Sequence, residues 1–409
     1  MTNDRSQPDS TASDAELQAA IQHLLSAYGF YSPLELLLAT NRLRYDDYQG
    51  WRRGERATLD DVLLPGPADA RTLLNDGASW VRGLHLEAET VPMYGTDANA
   101  GVELTASADA RLDVLLRTEY CRPTDRKQPD LFLDGTEMAA QNGLIDALAA
   151  RNRPAAVEAL HRMAEIDPGH WTLAPAEALI EALAAPFPEQ VDHALSYLQT
   201  LEQRWLPAAA TLLHTGVRDF MSPLWRAAGA ALEKNPFDPD DSKAHASWAY
   251  LNGLDWKGVK RCALGVPDGE SEPILQVRLA EAAWRLRHYA EAVGRWFWLC
   301  WHAPKHFEEC VEAAGFPDTR LKNAWDVAKD QELDPPLATY WFPAWTMIEE
   351  PGLARTLAPC GGDSEGERAY DHVLALRRGH SDREDLDRRR ALRDLHPGLL
   401  GRYLDTLGP

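Results

Sequence analysis

Residues Arg278–Pro304, RLAEAAWRLRHYAEAVGRWFWLCWHAP, decide how the chain is read. Apolar residues recur at helical spacing along two runs, close enough in sequence to fold back as one hairpin packed through large aromatics. A weaker relative of the stretch spans Asn142–Pro168. Neither copy carries chemistry. Helix pairs of this kind build surfaces that hold other molecules.

The two copies share a spacing. Ala292, Trp296, Leu299 and Pro304 in one match Ala156, Leu160, Met163 and Pro168 in the other. Each position has a physical job. Alanine lets two backbones approach, the large residue fills the gap between them, and proline cannot continue the helical hydrogen-bond ladder. With Leu279 and Ala280 on the first helix, the pattern resembles tetratricopeptide-like helical repeats. It departs from them where Gln276 and Ala140 replace the first-helix tryptophan, and where Ala283 and Ala147 replace a large residue. The resemblance covers these two segments only. It implies a protein-binding fold without identifying a ligand.

Outward from the hairpins, helical periodicity dominates and no segment alternates convincingly as a strand over several positions. The expected fold is all-α: an irregular superhelical array of helical hairpins with an amino-terminal helical module. Residues 1–13 read as a disordered tail, 14–86 as the amino-terminal module and 87–134 as an irregular connection. Residues 135–234 form a first repeat-like region, 242–359 an aromatic-rich one, and 367–409 closing helices. Ser32 is placed to cap a helix entered through Pro33, and Thr58–Asp61 to cap another. Leu112–Tyr120 reads as a strand or a helical stretch, and Pro223 as the start of a helix. The prolines and acids of Asn235–Asp241 mark the clearest mid-chain boundary.

Composition excludes more than it assigns. The formal charge of −21 over 409 residues disfavours a general nucleic-acid binder, which needs a basic footprint. Arg42, Arg44, Arg52, Arg53 and Arg56 invite a helix-turn-helix reading. Acids in the same module, and the lack of a polar reading face, favour packing instead. Cys121, Cys262, Cys300, Cys310 and Cys360 are too few and scattered for a disulfide scaffold, which fits a reducing compartment. No apolar targeting core opens the chain, and no run approaches the roughly 18 apolar residues of a membrane span. Cytoplasm is the expected location.

Nine of the 14 tryptophans follow residue 240. Trp296, Trp298 and Trp301 cannot share one narrow helix stripe, since successive residues turn by about 100°. Either the helix is buried on several sides, or some rings serve as partner anchors. Arg295, Phe297, Trp298 and Trp301 are the expected anchors. Cys300, His302, His306 and Cys310 have zinc-binding chemistry but match no recognised zinc spacing, and ordinary packing is preferred. His380, Ser381 and Asp382 are adjacent, which is not a catalytic geometry. Asp238, Asp240 and Asp241 read as a solvated acidic loop. No phosphate-cradling or dinucleotide-binding glycine motif is present. Asp385 and Arg389 are placed to pair across one turn of the charged last region.

These readings lead to a non-enzymatic scaffold or adaptor for another protein or peptide segment, with no cofactor and with homo-oligomerisation open. The alternatives are an enzyme with His302 and His306 in a pocket, and a structural subunit of an assembly.

Overall fold

A computed structural model describes residues 14–28, 30–95, 99, 102–121, 133–213, 216–313, 316–331, 333, 336–379 and 382–407. The expected tail at 1–13, the turn at 122–129, the lead-out at Leu131–Leu133 up to residue 132, and the pair His380–Ser381 lie outside them. The chain divides into two compact units. One holds Met1–Asn235 and Lys243–Asp255, the other Pro236–Ser242 and Trp256–Pro409.

The amino-terminal unit carries helices α1 (Asp14–Tyr28), α2 (Pro33–Ala39), α3 (Tyr45–Arg52), α4 (Pro67–Gly83), α5 (Ala110–Leu116), α6 (Leu133–Ala149), α7 (Arg153–Ile166) and α8 (Leu173–Ala184). They continue with α9 (Val191–Thr200), α10 (Leu206–Leu212), α11 (Val217–Leu232) and α12 (Ala246–Asn252). Three short strands, β1 (Phe30–Tyr31), β2 (Glu87–Thr90) and β3 (Thr118–Cys121), form an antiparallel sheet in the order β1-β3-β2. Leu112–Tyr120 therefore contains both a helix and a strand. Strands of two and four residues are too short for period-two alternation to stand out in the sequence.

Leu34, Leu36, Leu37 and Leu38 are all buried, so α2 is packed on several sides, with Glu35 its one charged residue. The core around it draws on α1, α3 and α4, and also on Leu104, Leu112, Leu116 and Tyr120. Two local expectations fail here. Ser32 precedes α2 with Pro33 in the first turn, but its hydroxyl makes no capping bond; its carbonyl accepts from the Leu36 amide instead. Thr58–Asp61 starts no helix, because Asp60 accepts from Ser107 Oγ at 2.6 Å and from the Ala108 amide at 2.8 Å.

A polar cluster ties α3 to α11. Asp219 accepts from Arg52 Nη1 at 2.6 Å, Gln49 Nε2 at 2.8 Å, Tyr48 Oη at 3.1 Å and Tyr45 Oη at 3.3 Å. Arg218 pairs with buried Glu35 at 2.7 Å. Arg44 and Arg56 face Asp47, and Arg53 faces Glu55. These arginines are spent on acids within the unit. Helix α11 runs through Pro223 rather than starting there. Burial of Phe220, Met221, Ser222 and Leu224 holds the turn before and around the proline despite its missing N–H.

The carboxyl-terminal unit carries α13 (Trp256–Leu264), α14 (Pro273–Arg285), α15 (Tyr289–His302), α16 (Pro304–Glu312), α17 (Thr319–Lys329), α18 (Phe342–Glu349), α19 (Glu365–Arg378), α20 (Asp382–Leu395) and α21 (Pro397–Asp405). Its core is aromatic: Trp296, Phe297, Phe307, Trp325, Phe342, Trp345 and Tyr370 are buried in one cluster. Phe307, Trp325 and Phe342 meet with centroids 5.1–5.5 Å apart, partly edge to face, the arrangement their ring quadrupoles favour. The Asp385–Arg389 pair is not among the ion pairs of the described residues. Arg389 lies over the Tyr403 ring, and Arg390 pairs with Asp387 and Arg393 with Asp394 on α20.

The fold class expected from the sequence is the one observed: mostly helices, paired irregularly with their chain neighbours as hairpins. The α6–α7 and α14–α15 hairpins turn in the same way. Arg151 and Arg287 take left-handed φ values of 53° and 64°. The next residues, Asn152 and His288, donate their amides to Ala147 and Ala283, while Arg151 and Arg287 donate to Leu148 and Trp284. This paired closure satisfies carbonyls that a helix end otherwise leaves open.

Candidate functional site

Helix α15 distributes its aromatics around its circumference, and each ring meets a different environment. Trp296 and Phe297 are 2% and 1% exposed. Trp296 packs on Phe316 at 4.8 Å, and Phe297 meets Tyr370 of α19 at 5.7 Å. Trp298 and Trp301 are only partly buried against the same core. Trp298 stacks on His302 at 4.7 Å, while Trp301 packs edge-on to Tyr370 at 5.3 Å. Arg295 is engaged locally, with Glu291 at 3.1 Å and Gln276 Oε1 at 2.9 Å across the hairpin.

His302 leaves the end of α15 and reaches α19. Its Nε2 lies 3.3 Å from Glu367 Oε1, with the imidazole 42% exposed and the carboxylate 10% exposed. Glu367 is fixed from its other oxygen as well. Ser364 Oγ and its amide reach Oε2 at 2.6 and 3.1 Å, and the Glu367 amide returns to Ser364 Oγ at 3.3 Å. This is a reciprocal helix cap, which uses two amides that would otherwise be orphaned. Burial opposes ionisation of Glu367. The Ser364 and His302 contacts outweigh it and hold the carboxyl below the ordinary range.

The Cys360–Ser364 loop lies directly on that carboxylate. A Cβ at Gly362 would come within 2.1 Å of Glu367 Cδ, so only glycine fits without displacement. Cys360 and Gly361 each donate an amide to Asp371 at 2.9 Å, and Tyr370 Oη donates to Ala358 O at 2.9 Å. The glycine-containing segment Cys360–Ser364 is thus pinned by α19 at several points. His302 is thereby presented on a fixed support beside two partly exposed indoles.

The chemistry available there is limited by the same contacts. The Ser364 hydroxyl is engaged in the helix cap, donating to Glu367 and accepting from its amide. Desolvation, with the Asp371 and Glu367 charges, pushes the Cys360 thiol up to about 12, so it stays protonated at neutral pH. The four residues with zinc-binding chemistry go separate ways. Cys300 is sealed in the core with its thiol raised by burial, His302 faces Glu367, His306 is exposed, and burial pushes Cys310 up to about 11. No three His, Cys, Asp or Glu side chains gather into a metal-holding group among the described residues. A shallow recess elsewhere in the unit is lined by Val293, Leu321, Leu353, Asp318, Arg320 and Glu350. Asp318 is already spent on capping α17 through the Arg320 and Leu321 amides.

Sequence reasoning singled out Trp298 and Trp301 as anchors and His302 only for a metal cluster or an enzyme pocket, and it gave no such role to Glu367, Ser364, Cys360, Asp371 or Tyr370. Ser364-x-x-Glu367 is a readable capping-box signal. Its approach to His302 is a long-range contact with no local signature.

Comparison of the chain with family models, curated proteins and solved structures finds no match. No helix of the described residues is long and apolar enough to cross a membrane.

Proposed function

We propose that the chain is a protein-binding scaffold or adaptor, and that it holds a segment of another protein on the carboxyl-terminal unit. The observation that carries this reading is the partial exposure of Trp298 and Trp301, side by side at the edge of the aromatic core. Beside them stands His302, half-exposed and anchored on Glu367. Rigid aromatics with a polar neighbour suit recognition, because they give contact area at little cost in side-chain entropy. The spacing shared by the two hairpins, which resembles tetratricopeptide-like repeats, supports the same role. Arg295 supports the face from behind through Glu291 and Gln276, and Phe297 sets the depth of Trp301, which it meets at 6.3 Å. A cytoplasmic location and a possible homo-oligomer belong to this proposal too.

The test is affinity purification of the tagged chain with mass-spectrometric identification of what is retained, repeated with Trp298→Ala and with Trp298→Ala/Trp301→Ala. One partner kept by the parent and lost by both variants, at unchanged circular dichroism, is the expected result. A clean parent preparation, or a partner kept equally by all three proteins, counts against the face.

A further inference from the structure

The edge of the small sheet in the amino-terminal unit points to a second interaction surface, independent of the aromatic face. Strand β2 is an outer strand, and all four of its residues are exposed. It pairs with β3 in the register Glu87↔Cys121, Ala88↔Tyr120, Glu89↔Glu119 and Thr90↔Thr118. One step further along, the Val91 amide donates to Arg117 O at 2.8 Å. Directly opposed pairs in an antiparallel ladder alternate between bonded and non-bonded. Positions 87, 89 and 91 therefore bond inward to β3. Ala88 and Thr90 turn their N–H and C=O groups outward, where no described residue pairs with them.

An unpaired strand edge is a template for another strand. What it accepts is set by the side chains beside it. Glu87, Glu89 and Glu119 lie on one face of the sheet with Cys121, opposite the face of buried Tyr120 and Thr118. Glu89 stands directly across from Glu119, which brings two carboxylates together on this face. Neither Glu87 nor Glu89 has an ion-pair partner among the described residues. After burial, the fields of Glu89, Glu87 and Glu119 are what raise the Cys121 thiol, so the three charges converge on one spot.

We propose that β2 is the docking edge for an extended segment of a partner protein carrying lysine or arginine at alternate positions. The segment adds as a fourth strand. Its amides and carbonyls meet those of Ala88 and Thr90, and its basic side chains fall on the face of Glu87, Glu89 and Glu119. A second copy of this chain is a poor occupant. Pairing β2 with β2 sets Glu87 and Glu89 against each other, adding like-charge pairs rather than relieving them.

The test uses the full chain and a short fluorescent peptide of alternating lysine and threonine, read by anisotropy at low salt. Saturable binding is expected. It should fall by about tenfold or more, some 1.4 kcal/mol, when the peptide amides that face β2 are N-methylated, since charge is kept and donors are lost. Ala88→Pro in the protein should have the same effect, because the amide it removes points away from β3. Glu87→Lys/Glu89→Lys should weaken binding, and an alternating glutamate–threonine peptide should not bind. Equal affinity for the parent and N-methylated peptides would reduce the contact to charge alone and overturn strand addition. Absence of saturation, or a dimer in sedimentation equilibrium that Ala88→Pro dissociates, overturns the assigned occupant. The N-methylated peptide leaves the protein untouched, so its result stands even if Ala88→Pro does not fold.

Discussion

Hairpins α6–α7 and α14–α15 share a turn, a spacing and a terminal proline, yet they fill their gaps differently. In α14–α15 the small residue Ala292 is followed by Trp296, buried against α14 and the aromatic core, and by buried Leu299. In α6–α7 the small residue Ala156 and the contact residue Met163 are buried, but Leu160 between them stays partly exposed. The backbone plan is common to both. The depth of the large position is set by what stands opposite: α16, α18 and α19 crowd the second hairpin's surroundings, whereas α7 packs chiefly on α6 and α8. A spacing therefore specifies the hairpin, while its neighbours decide which side chains carry the energy.

The largest expected effect tests that difference directly. Trp296→Ala should cost about 3–5 kcal/mol in urea unfolding, while Leu160→Ala should cost roughly 1 kcal/mol, because it leaves little cavity. Equal losses would mean that the two gaps are filled alike, and the contrast would fail. Asp219→Ala asks whether charge does for α11 what rings do for α15. It removes the acceptor shared by Arg52, Gln49, Tyr45 and Tyr48 and leaves Arg52 without its buried counter-charge, and a loss of about 3 kcal/mol is expected by the same measurement.

Two buried carboxylates sharpen the comparison further, because their pKa values move in opposite directions. Burial raises Glu35, and Arg218 only partly offsets it. Glu367 is lowered, because the contacts from Ser364 and His302 outweigh burial. The native state thus favours the protonated form of Glu35, and stability from that group falls as pH rises from 4.5 through its raised value. For Glu367 the stability is present above 4.5 and is lost as pH falls through the depressed value. Melting temperatures across the acid range should show Glu35→Gln gaining on the parent as pH rises and Glu367→Gln losing on it. Slopes of the same sign would refute the assignment of opposite environments. The smallest effect belongs to Trp298→Ala, which should change stability by less than about 1 kcal/mol while removing half of the proposed aromatic face. A larger loss would make Trp298 a core residue like Trp296.

Much of the helical plan was legible. The helical class and the two hairpins could be read because apolar periodicity is a local property. Short-range rules failed where distant groups competed. The Asp60 carboxylate is drawn to Ser107 and Ala108 rather than to a helix start, and Pro223 is overrun by a helix anchored on buried Phe220 and Leu224. The left-handed turns at Arg151 and Arg287 carry no glycine to announce them. Of the four expected anchors, Phe297 is buried in the core, Arg295 reaches across the hairpin to Gln276, and Trp298 and Trp301 are partly buried against the same core.

The sequence by itself determined the helical class, the acidic balance, the two related hairpins and the concentration of rings on α15. All of these follow from spacing and side-chain type within a few turns of chain. Tertiary structure alone decided which rings are sealed, which groups of β2 turn away from β3, and that Glu367 meets His302. Those outcomes depend on contacts between segments far apart in the chain, whose cost and gain no local pattern encodes.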